Sequence, residues 1–197
     1  MKKIIFVVMI CSILLASVCF AVTLTDISGH WAEPYITELT EKGIINGYED
    51  GTYRPEGQIK KCEFIKLIMA ASLPNENWAE RESVKYEHWA GIYAEAAEEQ
   101  GVMSRTYVDE VSLEEPISRE DMVEILGKCD IIIRGNAQES AELELYDIAD
   151  MDPSKLAMLS HCAAKGLIAG YEDYTFKPDR TLTRAEVATI LSRYLKK

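Results

Sequence analysis

The chain repeats itself, and this internal repetition restricts its fold more than any other feature of the sequence. At an offset of 58 residues the chain aligns on itself without a gap, so that His30-Trp31-Ala32 falls on His88-Trp89-Ala90. At an offset of 123 residues, the run Lys42–Asp50 falls on the run Lys165–Asp173. The sequence therefore predicts three copies of one unit, which we place at residues 22–73, 86–130 and 145–197.

Each copy has the pattern of two short helices joined by a loop. In the first copy, Ala32, Ile36 and Leu39 form one apolar stripe of a helix that is predicted over residues 31–42. A second helix begins near Ile59, after a loop with turn chemistry. Two short amphipathic helices cannot bury their apolar faces alone, so the copies must pack on one another. The sequence thus predicts an all-α fold of three helix-loop-helix repeats, and closed packing of the three is the simplest arrangement.

The start of the second helix carries the sharpest local motif. In the third copy, Thr183 and Glu186 have the spacing of a capping box, in which the hydroxyl caps the helix and the carboxylate reaches back. Ser118 supplies the hydroxyl in the second copy. The first copy has Lys60 at this position and so lacks the hydroxyl, and a cation there is disfavoured by the helix dipole.

The N-terminus has the layout of a secretory signal peptide. Lys2 and Lys3 precede an apolar run over residues 4–15, and small residues follow up to Ala21, where we expect cleavage. The alternative is that the segment is retained as a membrane anchor. Removing residues 1–21, which hold two lysines and no acids, leaves 19 basic and 33 acidic side chains, a net charge of −14. A chain of this charge is not expected to bind nucleic acid or, after cleavage, a membrane through its overall field.

Three motifs, in order and at matching spacing, resemble the S-layer homology (SLH) family: Asp26–Ala32, Gly43–Pro55 and Thr183–Glu186. The resemblance extends from about Leu24 to Tyr194. It implies a pseudo-threefold bundle whose grooves between repeats hold secondary cell-wall polysaccharide. The ligand it implies is an anionic sugar, N-acetylmannosamine carrying a pyruvate ketal, and the arginine of the Thr-Arg-Ala-Glu motif is a main contact.

Arg184 and its counterpart Arg119 are therefore the first candidates for ligand binding. Both lie in the first turn of a predicted helix, where free amides and the dipole favour an anion, and a guanidinium matches a carboxylate with two hydrogen bonds. The alternative is that both are solvated partners of acids such as Glu120 or Asp179. Lys61, which stands where the first copy should have the arginine, supplies charge without the fork.

The tryptophans of two copies are the next candidates. Trp31 and Trp89 could stack on a sugar ring, but their apolar mass favours core packing. The loop glycines and tyrosines offer backbone donors and an aromatic edge, with plain turn chemistry as the alternative, and the resemblance adds the leading aspartates of two copies. These further candidates are Gly47, Tyr48, Gly170, Tyr171, Asp26 and Asp147.

Other classes of site are not indicated. The three cysteines after residue 21 form neither a disulfide framework nor a zinc pattern and are expected in the core, and the three histidines are expected to be structural. We expect no metal, no cofactor and no enzyme activity, because no catalytic set is suggested by spacing. The second copy departs from the family loop over residues 105–109, and the third has Asp152-Pro153-Ser154 in place of His-Trp. The alternative function is therefore a protein-interaction or surface-layer assembly piece that has lost glycan binding.

Overall fold

The computed structural model describes residues 24–105 and 113–197. The predicted signal peptide at residues 1–21 and most of the divergent loop of the second copy lie outside the described residues. Over the described ranges the fold is all-α, as predicted, and no strand is formed. The helices, in chain order, are α1 (Glu33–Glu41), α2 (Lys61–Ser72), α3 (Gly91–Glu99), α4 (Arg119–Lys128), α5 (Pro153–Ala164) and α6 (Arg184–Leu195), with a π-helical turn at Cys129–Ile133 after α4.

The first helix of each copy ends at a glycine with a left-handed backbone conformation. Helix α1 stops before Gly43, which adopts a left-handed conformation with φ 70° that other residues rarely take. Gly101 and Gly166 occupy the equivalent positions after α3 and α5 and have φ values of 74° and 67°. The same backbone stop therefore recurs in all three copies.

The centre of the molecule is a closed ring of three backbone hydrogen bonds. The amide of Ile59 donates to the carbonyl of Leu182 (3.0 Å), Leu182 donates to Ile117 (3.3 Å), and Ile117 donates to Ile59 (3.0 Å). All three side chains are fully buried. The segments before the three second helices are therefore joined to one another through their backbones.

The first turn of each second helix is also held by the neighbouring copy. At the start of α6, the amides of Arg184 and Ala185 donate to the carbonyls of Gly57 (2.8 Å) and Pro55 (2.9 Å). The same two bonds recur at equivalent positions of the other copies. These are Lys61 to Glu115 and Cys62 to Leu113 for α2, and Arg119 to Arg180 and Glu120 to Pro178 for α4.

The helices pack around this ring in a cyclic order. Helix α3 packs on α2 and α5 packs on α4, so the first helix of a copy lies on the second helix of the copy before it. Helix α1 closes the circle by packing on α6 of the last copy. These contacts agree with closed packing of three units, whose pseudo-threefold symmetry stays a prediction.

Candidate functional site

One cavity brings together candidate residues from all three copies. It has a volume of about 140 Å³ and lies between the loop of the first copy, helix α2, the start of α3 and the start of α6. We call it the Arg184 groove. It is lined by Ile45, Asn46, Gly47, Tyr48, Glu63, Lys66, Leu67, Trp89 and Arg184.

Arg184 is a buried and highly connected side chain, with 8% of its surface exposed. Its Nε donates to the carbonyl of Tyr53 (2.8 Å) and its Nη1 to the Oε1 of Glu63 (2.7 Å). The guanidinium also lies over the rings of Tyr48 and Tyr53, at 4.7 Å from each centroid. The interpretation of this arginine as a solvated partner of surface acids is therefore wrong.

Arg119 has an equivalent place beside the loop of the third copy, in a group that we call the Arg119 cluster: Arg119, Tyr171, Arg180 and Glu186. Its exposed fraction is 5%, and its Nε donates to the carbonyl of Phe176 (2.7 Å). The guanidinium lies 4.8 Å from the Tyr171 ring. Arg119 is not a solvated partner of an acid either.

The two arginines differ in their relation to the motif glutamate. In the Arg184 groove that glutamate, Glu63, pairs with Arg184 itself. In the Arg119 cluster the counterpart, Glu186, pairs with Arg180 at 2.8 Å. Arg180 stands at the position of Gly57 in the first copy, so this second cation is particular to the third copy.

Lys61 lies in a third arrangement, the Lys61 cluster: Lys61, Glu115, Glu120, Asp121 and Lys155. Its ammonium is 3.8 Å from Glu115 and 3.9 Å from Asp121. Lys155 reaches from α5 to Glu120 (2.5 Å) and Asp121 (2.7 Å). Partial burial acts to lower the pKa of Lys155, but its bonds with Asp121 and Glu120 raise this pKa overall.

The backbone amides at the starts of the second helices are not free to bind an anion, although we expected them to be. The amides of Arg184 and Arg119 instead donate to carbonyls of the neighbouring copy, and so does the amide of Lys61. Anion binding in these grooves therefore has to come from side chains, because the first-turn amides already have partners.

The tryptophans lie at the surface, so the expectation of core packing is wrong for both. Trp31 and Trp89 each expose 56% of their surface. Each ring leans on the preceding histidine, with centroids 5.4 Å apart for His30 and 5.6 Å apart for His88. Trp89 lines the Arg184 groove, and its exposed ring is available for stacking on a sugar.

The loop candidates have both structural and surface roles. Gly47 lines the Arg184 groove with φ 72°, and a Cβ there would lie 2.9 Å from the carbonyl oxygen of Thr52. Tyr48 forms one wall of the groove and donates from its hydroxyl to Glu63 (3.3 Å). Gly170 and Tyr171 occupy the same loop positions in the third copy.

The two aspartates hold the backbone of their own copies together. The carboxylate of Asp26 accepts the amides of Tyr53 and Arg54, both at 2.7 Å. Asp147 accepts the amides of Phe176 (2.7 Å) and Lys177 (2.8 Å) and also lines an open cavity of about 390 Å³. These bonds give both residues a structural role, and ligand contact by either stays a prediction.

Two charged residues of the Arg184 groove, Glu63 and Lys66, were not among the candidates from the sequence. A signal for Lys66 exists in the repeat alignment, because its counterparts are Glu124 and Thr189. The charge at this helix position therefore differs among the three copies.

A cysteine, a histidine and a glutamate also come together, but they suit a hydrogen-bonded cluster better than a metal. The ligand atoms of Cys62, His88 and Glu114 lie within 4.8 Å of one another. The Nδ1 of His88 accepts the amide of Ala90 (3.1 Å), so its Nε2 carries the proton and donates to Glu114 (2.9 Å). Burial, followed by the charge of Glu114, raises the pKa of the Cys62 thiol to about 12, so the thiolate that metals require is disfavoured.

Comparison with models of known protein families identifies the family to which the repeats are related. The model of the S-layer homology domain matches residues 23–65 and 149–188, which lie in the first and third copies. The chain carries S-layer homology domains. This match, together with the relatives described below, indicates an exported protein of the bacterial cell surface or cell wall. In the described part of the chain, no helix has the length and apolar character needed to cross a membrane.

Several curated proteins are similar to the SLH chain. A cellulosome-anchoring protein of Acetivibrio thermocellus is 38% identical over 102 residues, or 50% of this chain and 22% of the relative. Exoglucanase XynX of the same species is 26% identical over 180 residues, or 90% of this chain and 16% of the relative. S-layer protein EA1 of Bacillus anthracis is 35% identical over 81 residues, or 39% of this chain and 9% of the relative. The chain thus spans less than a quarter of the length of each.

Proposed function

We propose that this SLH chain is a non-catalytic module that binds secondary cell-wall polysaccharide in grooves between its repeats. The observation that carries the proposal is the Arg184 groove. It combines a buried guanidinium, an exposed Trp89 ring and the loop of Gly47 and Tyr48. An aromatic face with polar donors around it suits a sugar ring, and the cation suits an acidic substituent. The ligand that fits is an anionic amino sugar such as a pyruvylated one.

The relatives support wall attachment as the purpose of this binding. One relative from Acetivibrio thermocellus is called a cellulosome-anchoring protein, and those from Bacillus anthracis and Bacillus licheniformis are called S-layer proteins. We propose that this chain attaches to the wall in the same general way. A surface protein is the partner that such an anchor would hold in place.

The test is co-sedimentation of the purified chain with bacterial cell walls, before and after chemical removal of the secondary polysaccharide. Wild type should sediment with intact walls and stay in solution with stripped walls. Arg184→Lys keeps a positive charge but loses the two-pronged donor, so it should weaken binding about tenfold. Arg119→Lys should weaken binding at the Arg119 cluster. Lys61→Ala should weaken binding visibly less than either arginine substitution, because Lys61 already pairs with Glu115 and Asp121.

Folding has to be checked, because Arg184 also bonds to Tyr53 and Glu63. Variants whose thermal midpoint matches the wild type are compared. Wall binding that survives both removal of the polysaccharide and the two arginine substitutions would contradict the proposal. That result would favour the assembly alternative, a protein-interaction piece that has lost glycan binding.

A further inference from the structure

Lys66 lies in the wall of the Arg184 groove, one turn of α2 after Glu63. Its side chain is half-buried. In the described part of the chain, no carboxylate forms an ion pair with its ammonium group. The nearby charge that affects Lys66 most is another cation, Arg184, and the smaller effect of Glu63 acts in the opposite direction. Burial, followed by the positive charge of Arg184, lowers the pKa of Lys66 below its ordinary value.

The charges of the groove do not cancel. Glu63 is within 2.7 Å of Arg184, so this acid and this base neutralise one another. Lys66 is the surplus charge among the residues that line the cavity, because Glu63 forms its ion pair with Arg184 and attracts Lys66 only from a greater distance. A cation that is partly removed from water and lacks a partner is unfavourable unless an anion comes to it.

The equivalent positions in the other copies show what a compensated site looks like. Glu124 replaces Lys66 in the second copy and pairs with Lys128 at 2.6 Å. In the third copy the position is Thr189, whose hydroxyl donates to the carbonyl of Ala185 (3.1 Å) and is satisfied within its own helix. Of the three equivalent side chains, Lys66 alone is a cation.

The Lys61 cluster is also compensated. Lys61 faces Glu115 and Asp121, and Lys155 bridges Glu120 and Asp121. Position 155 corresponds to Ala32 and Ala90 in the other copies, so this internal lysine is particular to the third copy. A carboxylate that approached this cluster would have to compete with the three acids that already surround the two lysines.

We propose that Lys66 is the residue that binds the acidic group of the ligand, holding a sugar carboxylate between its ammonium and Arg184, and that it directs acidic glycan to the Arg184 groove rather than to the Lys61 cluster. The proposal rests on the proposed function, since it assumes that the groove takes glycan. The two cations of the groove have different roles in this arrangement. Arg184, which Glu63 neutralises, orients the sugar through hydrogen bonds, and Lys66 supplies the uncompensated charge.

The experiment compares two forms of one probe, the polysaccharide released from purified bacterial cell walls. One sample is native, and in the other the carboxylates are reduced to alcohols. Binding of wild type, Lys66→Met and Lys128→Met is measured by calorimetry. Methionine keeps the apolar stem and removes the charge, and Lys128 is the matched control because it lines the equivalent cavity of the second copy with its charge paired.

Lys66→Met should bind the native polymer about tenfold more weakly than wild type, and Lys128→Met should bind it as wild type does. Wild type and Lys66→Met should bind the reduced polymer with equal affinity, because the partner of the charge is gone. A thermal midpoint for Lys66→Met at or above the wild-type value shows that the loss is not caused by unfolding.

Two results would overturn the assignment. Unchanged binding of Lys66→Met to the native polymer removes Lys66, and a loss in Arg184→Lys in the same experiment would leave the proposed function intact. An equal loss on both forms of the polymer means that Lys66 does not contact a carboxylate. If wild type binds neither form, the proposed function fails as a whole.

Discussion

Thr183→Ala tests whether the second helices are held by their caps. The Thr183 hydroxyl accepts the amide of Glu186 (3.2 Å), and the Glu186 carboxylate accepts the amide of Thr183 (2.9 Å). Alanine removes the first bond and leaves the second. The expected loss is about 1 kcal/mol of unfolding free energy, the usual value for an N-cap hydroxyl. In a domain of this size, that lowers the melting midpoint by about 2–4 °C.

The converse change, Lys60→Thr, gives the first copy the hydroxyl that it lacks. The amide of Lys60 already donates to Glu63 (2.9 Å), so threonine would complete the capping box. The gain of about 1 kcal/mol is reduced because the exposed Lys60–Glu114 ion pair is lost. We expect a net stabilisation of about 0.5 kcal/mol in urea-unfolding experiments. If Lys60→Thr destabilises as much as Thr183→Ala does, the capping argument is wrong.

Three further changes test the loop, the ring and an acid-sensitive pair. Gly47→Ala should cost about 1–3 kcal/mol, more than Gly43→Ala, because both have positive φ but only Gly47 has Cβ contacts under 3 Å; urea melts of both variants would show the difference. Leu182→Ala should cost about 3 kcal/mol by the same measurement, since the side chain is fully buried. Hydrogen bonding with Lys60, and then with His88, lowers the pKa of Glu114 from 4.5 to about 2. The stabilisation by Glu114 is therefore present above pH 4.5 and lost as the pH falls toward 2, so Glu114→Gln should flatten the dependence of the melting midpoint on pH in that window.

Much of the fold follows from the repeat alignment, because equivalent residues have equivalent roles. The apolar stripe with Ile36 and Leu39, the stop at Gly43 and the cap at Thr183 were all readable from local chemistry. The meeting of the three segments at Ile59 and its counterparts followed from the need to bury apolar faces. Local pattern and packing requirement agree at these positions, so the sequence predicts them.

The sites were harder to predict, because their charges are set by residues far apart in the chain. The pairing of Arg184 with Glu63 depends on a contact between the first and third copies. The pairing of Glu186 with Arg180, rather than with Arg119, depends on the loop of the third copy. The surface position of Trp89 was missed because a large aromatic residue is favoured for the core. Sequence motifs identify the participants, whereas the balance of charge in each groove needs the folded structure.

The hydrogen bonds that join the first copy to the last have a consequence for the order of folding. Tyr53 and Arg184, which are 131 positions apart, bond to each other at the junction of the first and third copies. A linear solenoid can grow from one end, but here the first copy lacks its partner until the last copy is available. The loop must close across most of the chain before these contacts form, which makes folding a late and concerted event. A surface protein that crosses the membrane as an extended polypeptide would thus complete the ring only after the third copy has emerged.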